Sequence, residues 1–193
     1  MRTIKSDLRR RAFARRDLVS PNEARTAASE VARRGLAVAR ENLAGGATVA
    51  AYWPIRSELH TRPLFDALTD AGFRTALPVT RETRTPMIFR LWSPDDDTVR
   101  GVLGNSEPSD NAPTVVPALV FAPLAAFDAQ GGRIGHGSGH YDTTMQALRL
   151  HGPVLFVGLA FDCQEVETVP LEPHDIRLDM ILTETRSLRT GAH

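Results

Sequence analysis

The sequence predicts a single α/β domain with a mixed, mainly parallel sheet flanked by helices and an N-terminal helical hairpin. Two almost continuously apolar runs, 118–123 and 154–159, are typical of strands that are buried on both faces of a sheet. Helical segments alternate with these and other short strands, which is the order typical of α/β folds. The 193 residues contain no internal repeat and no break in composition, so we expect one three-layer domain over 1–193.

The helical hairpin is predicted from two adjoining segments. The first segment has an apolar residue at every fourth position, which predicts a helix over 4–18 with these residues on one face: Ile4, Leu8 and Ala12. The second segment begins with a capping box formed by Ser20 and Glu23, and Pro21 suits its first turn. We expect this second helix to run to about Asn42.

The remaining elements follow from the same signals of periodicity, capping and turn residues. Strands are predicted at 48–53, 74–79, 87–92, 118–123, 154–159 and 180–183. Helices are predicted at 63–70 and 141–150. The polar segment 95–111 is rich in Gly, Ser and Pro, which predicts a long surface loop or a hairpin.

Composition excludes several classes of protein. Cys163 is the only cysteine, so neither a disulfide framework nor a zinc ribbon can form. No run approaches the ~18 apolar residues of a membrane span, and we expect a cytoplasmic protein with no membrane partner. The net charge of zero lacks the basic footprint of a nucleic-acid binder. Residues 1–40 nevertheless hold 11 basic and 4 acidic residues, which are interpreted as a solvated helix face that docks on an acidic body, with a nucleic-acid-binding arm as an alternative.

The most informative stretch is the glycine-rich segment 127–142, which lies between a predicted strand and a predicted helix. Its alternating glycines over 135–139 permit positive φ, and successive N–H groups in such a turn form a nest for an anion. Arg133 adds a donor for phosphate. The segment is therefore interpreted as a phosphate cradle, with a purely structural turn as the alternative. Zinc at His136 and His140 is disfavoured, because glycines disrupt a helical His-x-x-x-His face.

Charged residues suited to phosphate and magnesium lie towards both ends of the chain. Lys5 is the only lysine among 23 basic residues, which singles it out as a compact ammonium for a phosphate site. Asp142 closes the glycine-rich segment, and Asp175 lies among prolines. Two carboxylates are enough for Mg²⁺ when nucleotide phosphates and waters complete its shell. The alternative is that Asp142 caps its helix and Asp175 anchors a loop.

A second group of candidates follows the first predicted strand. Glu58 lies just beyond that strand, and ligands of α/β sheets bind outside the carboxyl ends of strands. Tyr52 and Trp53 suit stacking against a flat ring. Packing of both aromatic side chains in the core is the equal alternative.

Several motifs occur in a defined order along the chain. They are Lys5-x-x-x-Arg9, Trp53 with Glu58, Glu107-Pro108, Ala122-Pro123-Leu124-Ala125-Ala126-Phe127-Asp128, Gly132-Arg133-Ile134-Gly135-x-Gly137-x-Gly139-x-Tyr141-Asp142, Gly158-Leu159-Ala160-Phe161 and Pro170-x-x-Pro173-His174-Asp175-x-x-Leu178-Asp179. In this order they resemble the motifs of the 5-formyltetrahydrofolate cyclo-ligases, also called methenyltetrahydrofolate synthetases. The resemblance spans nearly the whole chain.

The resemblance implies an ATP-dependent ligase that converts 5-formyltetrahydrofolate to 5,10-methenyltetrahydrofolate and releases ADP and phosphate. ATP is implied to phosphorylate the formyl oxygen, after which a nitrogen of the substrate attacks the formyl carbon and displaces phosphate. The implied cofactors are ATP and Mg²⁺, and the implied partner is a reduced folate. We expect a monomer without a nucleic-acid partner.

The resemblance also implies a role for each candidate residue. ATP binding is expected of Lys5, Arg9, Arg133, Ile134, Gly135, His136, Gly137, Ser138, Gly139, His140 and Tyr141. Arg133 is in addition the expected catalytic residue. Folate binding is expected of Trp53, Glu58 and Tyr141, and metal binding of Asp142 and Asp175.

Two positions of the glycine-rich motif depart from the family pattern. The family often has Tyr or Arg where His136 stands and usually has Tyr where His140 stands. Where an aromatic often precedes the Glu-Pro motif, this chain has Leu103 or no equivalent. These departures leave two alternatives, a nucleotide-binding paralogue with another substrate and a phosphate-ligand-binding protein without turnover.

Overall fold

The structure is a computed structural model that describes residues 2–81, 85–102, 104–172 and 175–190. Within these ranges the helices are α1 (Arg2–Arg16), α2 (Pro21–Asn42), α3 (Arg62–Asp70) and α4 (His140–His151), with a short 3-10 helix at Asp162–Gln164. The strands are β1 (Thr48–Ala50), β2 (Arg74–Val79), β3 (Ile88–Leu91), β4 (Thr98–Arg100), β5 (Ser106–Pro108), β6 (Thr114–Val115), β7 (Leu119–Pro123), β8 (Ala126–Phe127), β9 (Arg133–Ile134), β10 (Leu155–Leu159), β11 (Met180–Leu182) and β12 (Ser187–Arg189).

A mixed sheet organises the described residues. Its eight strands lie in the order β12-β11-β10-β7-β1-β2-β3-β6. The central strands, from β11 to β2, are parallel, whereas β12 at one edge and β3 and β6 at the other pair antiparallel. The chain leaves β1 towards β2 on one side, and it leaves β7 towards β10 on the other. The strand order therefore reverses between β1 and β7, which is where ligands of open α/β sheets bind.

Helices cover both faces of this sheet, because its parallel strands are apolar on both sides. Val49 and Phe121 point to the face that α2 and α3 cover. Their neighbours Ala50 and Val120 point to the opposite face, which α4 covers. The predicted α/β fold with a mainly parallel sheet is confirmed. No helix in the described part of the chain is long and apolar enough to cross a lipid bilayer.

Local sequence signals explain where α2 begins. The hydroxyl of Ser20 accepts a hydrogen bond from the Glu23 backbone N–H, and the Glu23 carboxylate accepts one from the Ser20 N–H. This is the predicted capping box, and it satisfies N–H groups that a helix start leaves unpaired. The predicted end at Asn42 is also confirmed.

The predicted apolar face of α1 is confirmed at Leu8 and Ala12, which pack with Ala126, and wrong at Ile4, which is 56% exposed. Arg16, on the same side of the helix as Ala12, is only 3% exposed. The helix packs against β8 and the 3-10 helix rather than on the apolar sheet. Its inner face carries Lys5 and Arg9, which contact other segments. Apolar packing and charged contacts together therefore orient α1.

The structure supplies short elements that periodicity did not predict. Segment 95–111 contains the hairpin β4–β5, one of the two predicted options. The hairpin β8–β9 has only two residues in each strand, which is too short for a period to be visible. The motif residues Pro173 and His174, and Leu103, lie outside the described residues.

We predict that Gly131→Ala destabilises the protein more than Gly72→Ala does. Both glycines have positive φ, +84° and +81°, so both alanines carry the same left-handed strain of ~1–2 kcal/mol. A Cβ at Gly131 would lie 2.8 Å from the Leu178 carbonyl oxygen. At Gly72 it would meet no heavy atom of the described residues within 4 Å. Urea unfolding is expected to give an additional loss of ~1–3 kcal/mol for Gly131→Ala. Equal losses would contradict the tight packing of this turn.

Candidate active site

The predicted site residues converge at the point where the strand order reverses. The segment after β1 carries Trp53 and Glu58. The segment after β7 carries the β8–β9 hairpin and the glycine loop, by which we mean residues 135–139, and then enters α4. Helix α1 contributes side chains from a third direction, because it packs on β8. Three separate parts of the chain therefore meet at one edge of the sheet.

A buried aspartate shapes the hairpin that presents Arg133. Asp128 is 2% exposed, and its carboxylate accepts hydrogen bonds from the backbone N–H groups of Gln130, Gly132 and Val169 at 3.0, 2.8 and 2.8 Å. A Cβ at Gly132 would lie 2.6 Å from an Asp128 oxygen, so this close turn requires glycine. Asp128 thereby fixes the backbone from which Arg133 projects.

The Arg133 side chain is buried, and both of its terminal nitrogens donate hydrogen bonds. It is 8% exposed, and its Nη2 donates to Asp142 Oδ1 at 2.7 Å. Its Nη1 donates to the carbonyl oxygen of Ile176. Burial lowers the pKa of Arg133, while the carboxylates of Asp142 and Asp175 favour its charged form. The guanidinium joins β9, α4 and the 175–176 segment.

Lys5, which lies on α1, belongs to the same group of charged residues. Its ammonium donates to Glu172 Oε2 at 3.1 Å and to the carboxylate of Asp175. Burial opposes the charge on Lys5, but the hydrogen bonds to Asp175 and Glu172 outweigh it and raise the pKa of Lys5. Asp142 Oδ1 also accepts from the Ile176 N–H at 3.3 Å, which ties Asp142 to the residue after Asp175. We call Lys5, Arg133, Asp142, Glu172 and Asp175 the ion-pair cluster.

The glycine loop lies beside this cluster and leads into α4. Gly137 has φ +99° and Gly139, the N-cap of α4, has φ +75°, values that favour glycine. Arg9 Nε donates to the Gly135 carbonyl oxygen at 2.7 Å. The Arg9 guanidinium also passes so close to Gly137 that a Cβ there would lie 3.4 Å from Nη2. A cation and a helix start therefore border the loop, as an anion site requires.

The other predicted loop residues differ in their surroundings. Ile134 is buried among apolar residues that include Ala12 and Ala126, so its side chain belongs to the core. His140 is 6% exposed, and its carbonyl oxygen accepts from Thr144 Oγ1 at 2.6 Å. Burial raises the pKa of Tyr141, and the charge of Glu58 acts in the same direction. Ser138 lies in the glycine loop.

Glu58 is a buried carboxyl with one free oxygen. It is 4% exposed, and its Oε2 accepts from the Ile55 N–H at 2.9 Å. His136 Nε2 lies 3.3 Å from Oε1, but within the described part of the chain Oε1 has no hydrogen-bond partner. Burial raises the pKa of Glu58 to about 7, although the Ile55 hydrogen bond and the charge of Arg16 lower it. Burial, followed by the charges of nearby arginines, lowers the pKa of His136 to about 4.

Aromatic and cationic groups surround this carboxyl. The Phe13 ring lies 5.3 Å from the His136 ring, and the Arg16 guanidinium carbon lies 4.8 Å from the centre of the Phe13 ring. Arg16 Nε donates to Ser57 Oγ at 3.1 Å. We call Phe13, Arg16, Ser57, Glu58 and His136 the Glu58 cluster. His136 thus joins the glycine loop to the carboxyl predicted to bind folate.

The two aromatic residues after β1 have different positions. Tyr52 is 3% exposed, and its hydroxyl donates to the Leu59 carbonyl oxygen at 2.9 Å, so it is a core residue. Trp53 is half-buried and packs edge-on against Trp92, with ring centres 5.7 Å apart. Glu107 of the Glu-Pro motif is 5% exposed and accepts from the Thr80 N–H at 3.0 Å, which ties the β4–β5 hairpin to the end of β2.

Sequence reasoning missed residues that complete the site. Phe13, Arg16 and Glu172 were not among the predicted site residues. A signal was present for Arg16, because it lies four residues after Ala12 and seven after Arg9 and therefore shares their helix face. No local signal marks Glu172, which is brought to Lys5 across 167 positions of the chain.

Sequence comparison supports the same grouping of motifs. The profile of the 5-formyltetrahydrofolate cyclo-ligase family matches residues 2–184. The 5-formyltetrahydrofolate cyclo-ligase of Escherichia coli (strain K12) is 36% identical over 144 residues, covering 72% of this chain and 79% of that protein. The protein of the same name from Haemophilus influenzae is 34% identical over 139 residues, covering 69% of this chain and 74% of that protein.

Structural comparison gives relatives over almost the full length. The NMR structure of Aquifex aeolicus 5,10-methenyltetrahydrofolate synthetase has a TM-score of 0.75 and 26% identity, covering 98% of this chain and 94% of that one. A 5,10-methenyltetrahydrofolate synthetase from Mycoplasma pneumoniae shares the fold, with a TM-score of 0.73, 21% identity and coverage of 93% and 98%. Sequence and fold agree, and the chain belongs to the 5-formyltetrahydrofolate cyclo-ligase family.

Proposed function

We propose that this protein is an ATP-dependent 5-formyltetrahydrofolate cyclo-ligase that produces 5,10-methenyltetrahydrofolate, ADP and phosphate. The observation that carries the proposal is the adjacency of two chemically different groups. An ion-pair cluster and a glycine loop, suited to phosphates, lie beside a buried carboxyl, suited to a heterocycle. His136 contacts the carboxyl from within the glycine loop, at 3.3 Å from Glu58 Oε1. Such adjacency is what transfer of a phosphoryl group to a folate requires.

The residues around the glycine loop fit the phosphates of ATP. Lys5, Arg9 and Arg133 supply cations from two elements, and the start of α4 adds backbone N–H groups. We assign ATP binding to these three side chains and to the backbone of 134–141. The Ile134 side chain serves this site only indirectly, because it anchors the loop in the core.

The acidic residues fit a magnesium ion held jointly with the nucleotide. Within the described residues, no group of three or more His, Cys, Asp or Glu side chains forms a complete metal cage. Asp142 accepts hydrogen bonds from Arg133 and from the N–H of Ile176, the residue after Asp175, and the charge of Asp175 also acts on Arg133. Mg²⁺ is usually bound by one or two carboxylates, with phosphates and waters as further ligands. Asp142 and Asp175 are therefore assigned to it.

The reaction asks the protein mainly for positioning and charge stabilisation. ATP supplies the phosphoryl group that converts the formyl oxygen into a leaving group, and Mg²⁺ supplies charge neutralisation. Arg133 is held by Asp142 in one orientation, which prepares its guanidinium to stabilise charge on the transferred group. Glu58, Trp53 and Tyr141 are assigned to the folate. Its second nitrogen attacks the formyl carbon, the bond from that carbon to the phosphorylated oxygen breaks, phosphate leaves with the oxygen, and the proton of the nitrogen passes to water.

We also propose that 1–193 is one domain that acts as a cytoplasmic monomer on a reduced folate. The parallel strands β1, β7, β10 and β11 form one sheet, and the site draws on α1 as well as on the segment that precedes β11. Separation of the chain into halves would therefore divide the ion-pair cluster.

A direct assay tests the proposed function. Purified protein with 5-formyltetrahydrofolate and MgATP is expected to produce the near-ultraviolet absorbance of the methenyl product, because all substrates of the reaction are then present. Reactions without ATP or without magnesium are expected to stay flat. A flat trace from the complete mixture, with MgATP binding intact, would contradict the folate assignment and favour a paralogue with another substrate.

Lys5→Ala is expected to weaken MgATP binding selectively. A charge-assisted hydrogen bond contributes ~1.5–3 kcal/mol, so the KM for MgATP is expected to rise roughly 10- to 100-fold. The KM for 5-formyltetrahydrofolate is expected to change little, because the hydrogen bonds of Lys5 go to Glu172 and Asp175, which lie in the phosphate half of the site. Arg10→Ala, on the exposed side of the same helix, is the matched control. Equal KM values for MgATP in both variants would remove Lys5 from the nucleotide site.

Glu58→Gln is expected to change how stability depends on pH. The pKa of Glu58 is about 7 in the folded protein and near 4.5 in the unfolded chain. Between these pH values the carboxyl ionises in the unfolded chain but stays protonated in the folded protein, so the parent loses stability as the pH rises. The variant lacks this loss. Its stability relative to the parent is therefore expected to rise by about 3 kcal/mol from pH 4.5 to pH 7.

Urea unfolding of both proteins at several pH values measures this difference. The lowered pKa of His136 has the opposite effect on stability, but it is present in parent and variant and so largely cancels. Glu41→Gln, at an exposed carboxyl, is the control and is expected to give a constant difference. A constant difference for Glu58→Gln as well would mean that Glu58 is not desolvated.

A further inference from the structure

The Glu58 cluster contains two buried polar atoms of opposite kind that lack partners. Arg16 is 3% exposed, and its Nη1 has no hydrogen-bond acceptor among the described residues. Glu58 is 4% exposed, and within the same residues its Oε1 has no donor. A buried donor or acceptor left unpaired costs ~1–3 kcal/mol, and more when it is charged. Native structures rarely keep two such atoms in one cluster without a use for them.

Contacts around the cluster bring the two side chains to the same place. Arg16 Nε donates to Ser57, the residue before Glu58, and its guanidinium carbon lies 4.8 Å from the centre of the Phe13 ring. Phe13 in turn lies against His136, whose Nε2 is 3.3 Å from Glu58 Oε1. The charge of Arg16 also lowers the pKa of Glu58. Yet no ion pair joins the two residues in the described part of the chain, so each keeps its free atom.

We propose that Arg16 is a substrate-binding residue, whose free N–H donates to the carbonyl oxygen of the pterin ring while the free oxygen of Glu58 accepts from a neighbouring ring N–H. This inference rests on the proposed function. A cyclic amide presents one acceptor and one donor side by side, which is the complement of the two free atoms. The Phe13 and His136 rings supply flat surfaces beside this pair.

The test uses Arg16→Met, which keeps length and apolar volume and removes the donor. Direct binding of 5-formyltetrahydrofolate is expected to weaken at least tenfold, with the KM for MgATP nearly unchanged. The midpoint temperature of unfolding is expected to stay the same or to rise, because replacement of an incompletely paired buried charge by an apolar side chain is often neutral or stabilising. Arg11→Met, on the exposed side of α1, is the matched control for both measurements.

A second ligand separates the pterin ring from the rest of the folate. The same binding measurement is made with 5-formyltetrahydropterin, which lacks the aminobenzoyl-glutamate tail. If Arg16 contacts the ring, the loss in Arg16→Met persists at a similar ratio with this ligand. If the loss disappears, Arg16 contacts the tail carboxylate and the proposed ring contact is overturned.

Arg16→Lys keeps the test decisive if Arg16→Met does not fold. It retains the positive charge but not the guanidinium geometry, and its affinity for 5-formyltetrahydrofolate is expected to fall below that of the parent and of Arg11→Met. Parent-like affinity in a folded Arg16→Met, or in Arg16→Lys when Arg16→Met does not fold, would overturn the role of Arg16. Failure of the parent itself to bind 5-formyltetrahydrofolate would instead overturn the proposed function.

Discussion

The site depends on the burial of one positive charge, that of Arg133. A guanidinium only 8% exposed must have its donors paired, and Arg133 obtains partners from α4 and from the segment before β11. Loss of one partner of a buried ion pair typically costs ~3–5 kcal/mol, so this pairing constrains both segments. Asp128 provides the rigid turn from which the side chain starts. The glycine loop that follows Arg133 is therefore held in place at its start by this residue and at its end by α4.

The two halves of the site, the ion-pair cluster and the Glu58 cluster, differ in how their charged groups are paired. In the ion-pair cluster, each cation already has a carboxylate partner: Lys5 pairs with Asp175 and Arg133 pairs with Asp142. Entry of phosphates together with a divalent cation would allow Lys5 and Arg133 to pair with the phosphates while the carboxylates bind the cation. In the Glu58 cluster, a donor and an acceptor are left open instead. The first half is thus suited to a charged ligand, and the second to a neutral ring that carries hydrogen-bonding groups.

Much of the fold could be predicted because local signals agree with the tertiary structure. The capping box at Ser20 starts α2, and the apolar run at 154–159 is a buried strand. The apolar spacing of α1 placed Leu8 and Ala12 correctly but not Ile4. It could not show that Lys5 and Arg9 also face the protein, because their partners are distant in sequence. The same reason explains why Glu172 and Asp128 were missed as site determinants. Their roles arise from hydrogen bonds across 167 and 41 positions, which no local pattern records.

Helix α1 contributes residues to both halves of the site. Lys5 and Arg16 are eleven residues apart, which is about three turns and roughly 16 Å along the axis, so both side chains project from one face. Arg9 lies between them and contacts the glycine loop. A single rigid helix therefore sets the distance between the cation at the ion-pair cluster and the cation at the Glu58 cluster. Each residue inserted between them would rotate the side chains on one side of the insertion by about 100° and turn them away from their contacts. The spacing of these three residues therefore matters as well as their chemistry.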